Sequence, residues 1–571
     1  MQHFAPTWRL RALDKALVAK LSLELGVSPL LARLLINRGV SDLAEAHRFL
    51  GHDPYELNPW AMPGIERASH RLLTALDSGE SVVVYGDYDA DGVTSTTLLY
   101  SYLARSGYDA HYFLPHRFED GYGMNRHALH DLAERGFRLI VTVDNGISSV
   151  EEAEYARSLG MDLIITDHHT PPEALPEAYA LLNPRLGGCP PEMAGLAGVG
   201  VAFILASALE ELAPSGGVED LLDLVAIGSI ADMAPLQGLN RTLVGRGLYR
   251  MATDPRPGIQ ALADVAGISS LASITASDIG FKIAPRINAA GRMEHCEIGL
   301  KLLLAETITN AEPFAFELDR LNRLRQETSQ RIEREARRRV EADADLARDP
   351  ALVLAQEDWH HGVIGIVASR LIETYGRPVV LLAGDGDRYR GSGRSPETID
   401  LFRALEGASE HLIRWGGHAQ AVGLTVERDR LEAFRQRLSN SILAQGLAEP
   451  PVHDIDAEVS LAELTPQLIR ELAWLQPTGH GNPDPVLALR DVTVTKQKVR
   501  GKDGRHLFLE LQEGLEIREA VGFGMAHLHP VPKRVSLAFT PEFNHFLGQT
   551  KVQLRLHAVA SPGELMEESP S

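Results

Sequence analysis

The stretch YGDYDADGVTST, residues 85–96, decides the fold. It begins where SVVVYG (81–86), a short apolar run rich in β-branched residues, reads as a strand. It runs on into a helical segment opened by Gly92 and reaching about Arg105. A strand handing over to a helix across a tight turn is the first half of a βαβ unit. Asp87, Asp89 and Asp91 stand at alternate positions in that turn. Like charges held so close are costly unless a cation neutralises them; a solvated acidic turn is the plainer alternative. An EF-hand loop is excluded, because Gly92 falls at its sixth position but Leu98 stands where the distal glutamate belongs.

Downstream the alternation continues. AHYFLP (110–115), RLIVTV (138–143) and DLIITD (162–167) read as further strands, with helical segments such as SSVEEAEYARSLG (148–160) between them. Strands alternating with helices imply a mainly parallel sheet, whose ligands sit at the carboxyl ends of its strands. Acids and histidines occupy those ends. Asp144 follows one strand, Asp167, His168 and His169 follow the next, and Asp232 lies beyond a helix. Carboxylate and imidazole without thiolate suit Mn²⁺ or Mg²⁺ better than zinc. Asp87, Asp89, Asp91, Asp144, His168, His169 and Asp232 are too many for one ion. They suit two ions about 3.5–4 Å apart, the arrangement used for in-line displacement at phosphorus.

Composition sets the frame. At roughly 150 residues per domain, 571 residues make about three or four domains. An apolar fraction of 44% with 23% charged residues excludes a disordered or collagenous chain. Cys189 and Cys296 form no CxxC pair, which excludes a disulfide framework or thiolate zinc site and predicts a reducing, cytoplasmic compartment. No apolar run approaches the roughly 18 residues of a membrane span, and the start, MQHFAPTWRLRALDKAL, shows no secretory signal, so no membrane partner is expected. The net charge of −21 argues only weakly against a nucleic-acid partner, because a basic groove can sit on an acidic body.

Residues 1–75 read as a mostly helical N-terminal segment with stops at Gly26 and Gly39. The strand–helix alternation and the helical stretch after it make a catalytic domain over 76–305. A connecting helix covers 306–348, where after Pro313 an apolar stripe of Phe314, Leu318, Leu321, Leu324, Ile332, Ala336 and Val340 crosses a highly charged segment. A second α/β pattern occupies 349–449, and the Pro-bearing GLAEPPVHD reads as a linker. Five strand-like runs over 453–560 suggest a small β-barrel of the OB type, and 561–571 reads as a disordered tail. In the barrel, TKQKVRGKDGRH (495–506) sets Lys496, Lys498, Arg500, Lys502 and Arg505 against Asp503 alone, around a hairpin turn. This is a candidate track for single-strand phosphates, with a solvated hairpin as the alternative.

DYDADG, the isolated Asp144 and the Asp-His-His run resemble the DHH phosphoesterase superfamily, and the chain is similar to its RecJ branch, bacterial single-strand-specific 5′→3′ DNA exonucleases. LPHRFEDGYG (114–123), GFKIAPRINAAGRM (280–293), HHGVIGIVASRL (360–371), GSGRS (391–395) and GGHAQAVGL (416–424) resemble motifs of that branch, in order, over nearly the whole chain. Smaller members of the superfamily carry His four residues before the first Asp of their D-x-D motif. Here that position, counted from Asp89, is Tyr85, which leaves open which ion Asp87 serves. The resemblance implies that Arg117, Ser392 and Arg394 hold the terminal 5′-phosphate, that Arg292 meets the scissile phosphate, and that His418 is another phosphate donor. Tyr122 is a candidate for stacking on a base. Asp144, His168, His169 and Arg292 are then the expected catalytic residues, with two Mn²⁺ or Mg²⁺ ions as cofactors. Single-stranded DNA is the implied substrate. Recombination and mismatch repair are the implied setting, with single-strand-binding protein and a helicase as partners.

Two rival readings stay open. Other enzymes of the superfamily cleave oligoribonucleotides, cyclic dinucleotides or pyrophosphate, and those chains generally lack a C-terminal barrel. Non-catalytic relatives bind DNA with eroded metal sites, and the complete set of candidate ligands here counts against that reading.

Overall fold

In a computed structural model of the chain, the described residues are 7–121, 123–215, 217–446, 452–501, 504–546, 549–561 and 566–568. Tyr122, Lys502 and Asp503 lie outside them.

The sheet expected around the acidic turn has five strands, in the spatial order Ala110–Phe113, Val82–Tyr85, Leu139–Val143, Asp162–Thr166 and Ala180–Leu182. Every neighbouring pair is parallel. Val82–Tyr85 and Leu139–Val143 are buried along their whole length, which is why they read as unbroken apolar runs. The chain leaves Val82–Tyr85 toward one edge of the sheet and returns at Leu139–Val143 to build the other. Such a reversal opens a crevice outside the strand carboxyl ends. The turns bearing Asp87 and Asp144 border it.

The helix after the acidic turn spans Ala90–Arg105. It begins two residues before the expected Gly92, because the Asp89 carboxylate accepts hydrogen bonds from the N–H groups of Asp91 and Gly92 and caps it. Gly92 is there for close packing, since a Cβ would lie 2.6 Å from the Asp87 carbonyl oxygen. The helix shares the main core with the sheet and with helices Gly198–Leu212 and Leu222–Ala231.

The connecting helix runs from Ile308 to Ala342, with Pro313 inside it and Thr307 as its cap. Leu318, Leu321, Ile332, Ala336 and Val340 are buried as expected, but Leu324 is exposed, so the apolar stripe is interrupted. The first half of this helix packs into the core of the parallel sheet. The second half packs against helix His361–Tyr375 and strands Leu352–Gln356 and Val379–Asp385. Arg337 and Arg339 pair with Glu333 and Glu335 one turn back. Beyond lies a second sheet of five strands, ordered Leu412–His418, Ala421–Glu427, Arg388–Arg394, Val379–Asp385 and Leu352–Gln356.

The C-terminal strands Leu487–Arg500, His506–Glu513, Glu516–Gly522, Gln549–Ala560 and Arg534–Phe546 follow one another around a barrel, closed by pairing of the first with the last. The N-terminal segment does not form one helical unit. Helices Lys15–Leu25, Pro29–Ile36 and Leu43–Phe49 pack on the barrel, while Ile65–Ser78 packs on the parallel sheet. Strand Thr7–Leu10 pairs in parallel with Val452–Ile455 on one side and Met566–Glu568 on the other. Part of the expected disordered tail is therefore a strand, because Thr7–Leu10 offers it a sheet edge. No described helix is long and apolar enough to cross a membrane.

Candidate active site

The crevice at the sheet's switch point is a cavity of about 300 Å³ lined by Asp87, Asp89, Asp91, Arg117, Asp232 and Arg292, with Tyr88, Met233 and Asn288 among its other walls. Each acid is held by an identifiable local device. Gly86 and the turn after it deliver Asp87. Asp89 is fixed by its capping bonds. The Asp91 carboxylate accepts the N–H groups of Gly198 (2.8 Å) and Val199 (2.9 Å), at the positive end of a 15-residue helix. Asp144 has a left-handed backbone, φ +62°, with its N–H bonded to the Thr166 carbonyl of the next strand. Asn288 accepts the Ala90 N–H and ties the acidic turn to helix Ala284–Met293.

Three sets of ligand atoms converge, each within 4.8 Å: Asp87, Asp89 and Asp144; Asp91, His168 and Asp232; and Asp144, Asp167, His168 and His169. Asp144 and His168 each belong to two sets. His168 Nε2 lies 3.0 Å from Asp144 Oδ1, yet neither atom has a hydrogen-bond partner, and Asp87 Oδ1 is also buried and unpartnered. Buried polar atoms in contact without hydrogen-bond geometry are left unsatisfied. Asp144 shares one ligand set with Asp87 and another with His168, so the residues fit divalent cations with oxygen and nitrogen ligands.

The electrostatics agree. Burial first, then neighbouring carboxylates, push Asp87 and Asp144 well above the ordinary carboxylate range. The same causes bring Asp91 to about 7 and Asp232 to about 8. Burial lowers His168 to about 4. Burial also opposes charge on His169, but its hydrogen bond to Asp167 (2.7 Å) together with the charges of Asp167, Asp232 and Asp89 outweighs this and raises the ring to about 9. Burial pushes Asp167 up too, but His169 and the N–H of Ile147 hold it below the usual value.

Sequence reasoning placed Asp167 in the run without giving it a role. Its oxygens in fact accept from the backbone of Ile147, His168 and His169 and from the His169 ring, the position of a group that orients a ligand. Arg185, which binds the His168 carbonyl, and Asn183, which binds that of His169, were also missed. Nothing in their local sequence marks them. Tyr85, at the position where smaller superfamily members have His, turns to the opposite face of the sheet and bonds Gly123 and Asn125. Asp87 joins Asp89 and Asp144 without it.

The expected phosphate ligands divide. Arg117 lies over the Tyr88 ring at 4.7 Å and lines the cavity. Arg292 donates to the Gly362 carbonyl (3.2 Å), across to the second α/β unit, and burial lowers it to about 10. Arg394 bonds Ser392 Oγ (3.1 Å) and the Gly393 carbonyl. Burial and then Arg117 lower it, and Arg117 and Arg394 both act on Arg292, so three arginines converge. Such a gathering of positive charge suits an anion. His418 is exposed at a strand end, in register with Arg394 across Ala421, about 10 Å away at two strand spacings. Lys496, Lys498 and Arg500 stand on the barrel, where Lys496 pairs with Glu510 and Arg500 lies over Phe508.

Sheet, switch-point crevice and acid–histidine clusters together define a DHH-type phosphoesterase domain. Sequence profiles agree: the DHH family N-terminal domain matches residues 81–229, the DHHA1 domain 348–443, and the RecJ OB domain 455–558. The single-stranded-DNA-specific exonuclease RecJ of Bacillus subtilis is 36% identical over 563 residues, 97% of this chain and 70% of that protein. The Escherichia coli protein of the same name is 37% identical over 554 residues, 92% of this chain and 95% of the other. The crystal structure of Thermus thermophilus RecJ in complex with Mn²⁺ superimposes with a TM-score of 0.86 at 32% identity, covering 99% of this chain and 81% of that one. The chain belongs to the RecJ family.

Proposed function

We propose that this chain is a single-strand-specific 5′→3′ DNA exonuclease that hydrolyses phosphodiesters at a two-cation centre and releases 5′-mononucleotides, in DNA recombination and repair. The observation that carries the reading is the approach of His168 Nε2 to Asp144 Oδ1 without a hydrogen bond, in ligand sets shared with Asp87, Asp89, Asp91 and Asp232, which line a cavity together with Arg117 and Arg292. The relatives named as exonucleases, one of them with Mn²⁺, support it.

Asp87, Asp89, Asp91, Asp144, His168, His169 and Asp232 would hold Mn²⁺ or Mg²⁺, which would supply Lewis acidity and a lowered pKa for the attacking water. The chain does the rest. Asp144, common to two ligand sets, would serve both cations. Asp167 fixes the His169 ring. Arg292 takes up the negative charge that develops on the scissile phosphate. Arg117, Ser392 and Arg394 hold the terminal 5′-phosphate, whose extra charge over an internal diester makes an end preferred to the middle of a strand. His418 extends that contact, Tyr122 stacks on a base, and Lys498 and Arg500 draw the backbone onto the barrel. In this reading catalysis belongs to 76–305, end recognition to 349–449, and a cleft between them admits one strand only. Cytoplasmic location and contacts with single-strand-binding protein and a helicase belong to the same proposal.

The test is digestion of single-stranded DNA labelled at either end, with Mn²⁺. Release of labelled mononucleotide from the 5′ end first, with little action on duplex, is expected. Release from the 3′ end first would overturn the polarity. Removing about 455–571 separates the main rival, since a small-molecule phosphodiesterase would keep its activity and a strand-tracking exonuclease would lose DNA affinity.

A further inference from the structure

Met233 stands at the mouth of the same cavity, next to Asp232, and neither cation nor phosphate binding explains it. Helix Leu222–Ala231 ends in a Schellman turn, with the N–H of Ala234 bonded to the Ser229 carbonyl and that of Met233 to Ile230. The left-handed position of such a turn is glycine's, because a Cβ is penalised there. Here a methionine holds it at φ +57°. Core packing does not compensate, since the residue is 71% exposed. A side chain kept in an unfavourable backbone conformation, in the open, beside a reacting centre is a sign of function.

We propose that Met233 is a substrate-contact residue whose thioether packs on the base of a nucleotide whose phosphate reaches the acidic cluster. The inference rests on the exonuclease reading. The other cavity groups divide the remaining work: the acids hold cations and the arginines meet phosphate, while the Tyr88 ring is already covered by Arg117. Among the described residues lining the cavity, Met233 is the large exposed apolar group left to meet a base. An unbranched, polarisable thioether adapts to any aromatic face, which suits digestion without regard to sequence.

The test compares the full chain with its Met233→Gly and Met233→Leu variants, with Mn²⁺, on 5′-phosphorylated single strands. The strands are intact or abasic at the first or the second nucleotide. Removing one sulfur–aromatic interaction corresponds to about fivefold in affinity, so Met233→Gly should raise KM about fivefold. Its melting temperature should equal or exceed that of the unaltered chain, because glycine suits the turn. Met233→Leu should bring KM back to within about twofold, apolar surface being restored. One of the abasic substrates should erase the difference between the unaltered chain and Met233→Gly. An unchanged KM in Met233→Gly, a difference that persists on both abasic strands, or a lowered melting temperature would each overturn the contact. An unaltered chain that digests none of these strands overturns the exonuclease reading and the contact together, and is told apart by that control alone.

Discussion

His168 Nε2 and Asp144 Oδ1 lie 3.0 Å apart, both buried, in contact but not hydrogen-bonded. Either residue alone would be an awkward core residue. Together they mark the place where the acid clusters meet, and that junction sets what should happen when it is altered.

Asp144→Ala should abolish cleavage, with a loss of at least about a thousandfold in turnover, while DNA affinity stays within a few-fold. Gly198→Ala tests the same point without removing a ligand. Its Cβ would sit 2.6 Å from the Asp144 Cβ and 2.7 Å from Oδ1, so the carboxylate must shift. The Mn²⁺ concentration for half-maximal activity should then rise by about tenfold or more. Normal turnover at saturating Mn²⁺ in Asp144→Ala would remove the residue from the mechanism.

The cation-free protein should lose stability as pH rises from about 6.5 to 8. Asp91 at about 7, Asp232 at about 8 and His169 at about 9 all lie above their values in an unfolded chain. A raised group contributes stability below its unfolded pKa and loses it as pH climbs through the folded one. His168, lowered to about 4, works the other way only below about 6.5 and does not oppose the trend in this window. The melting temperature in chelator should therefore fall over that range, and Mn²⁺ should raise it more at pH 8 than at pH 6.5. A chelated protein equally stable at both values would contradict the crowding of charge.

Arg394→Ala should cost about ten- to a hundredfold on 5′-phosphorylated DNA, the size of a charge-assisted hydrogen bond, and much less on 5′-hydroxyl DNA. Arg394 is held by Ser392, and a Cβ at Gly365 would come within 2.9 Å of Ser392 Oγ and 3.1 Å of Arg394 Nη2. Gly365→Ala should therefore show the same substrate preference in milder form. Equal losses on both DNAs would mean that Arg394 serves the fold.

On the barrel, removing the cation that neutralises one phosphate should flatten the slope of log affinity against log salt by about 0.7 on single strands. Lys498→Ala and Arg500→Ala should each show this. Lys496 already pairs with Glu510 at 2.9 Å, so Lys496→Ala should change the slope less. A slope that none of the three alters would leave the hairpin a solvated loop.

How much was legible beforehand depended on the distance over which each feature is decided. The parallel sheet was written in short apolar runs, because strands buried on both faces need them, and the acids were visible because they recur at the strand ends. The sequence by itself determined that Asp87, Asp89, Asp91, Asp144, His168, His169 and Asp232 are available to one site. What only tertiary structure decided is how they are held. The helix N-terminus that binds Asp91 comes from Gly198 and Val199, over a hundred residues on. Asp167 shows its orienting role only once Ile147 and the His169 ring are beside it. The helix start at Ala90 turned on a cap, the exposed Leu324 on what its neighbours leave uncovered, and the strand Met566–Glu568 on an edge offered by the other end of the chain. Periodicity and turn residues act through bonds a few residues long and can be read locally. Capping, orientation and strand pairing between distant segments are contacts in space, and they exist only after the chain has closed on itself.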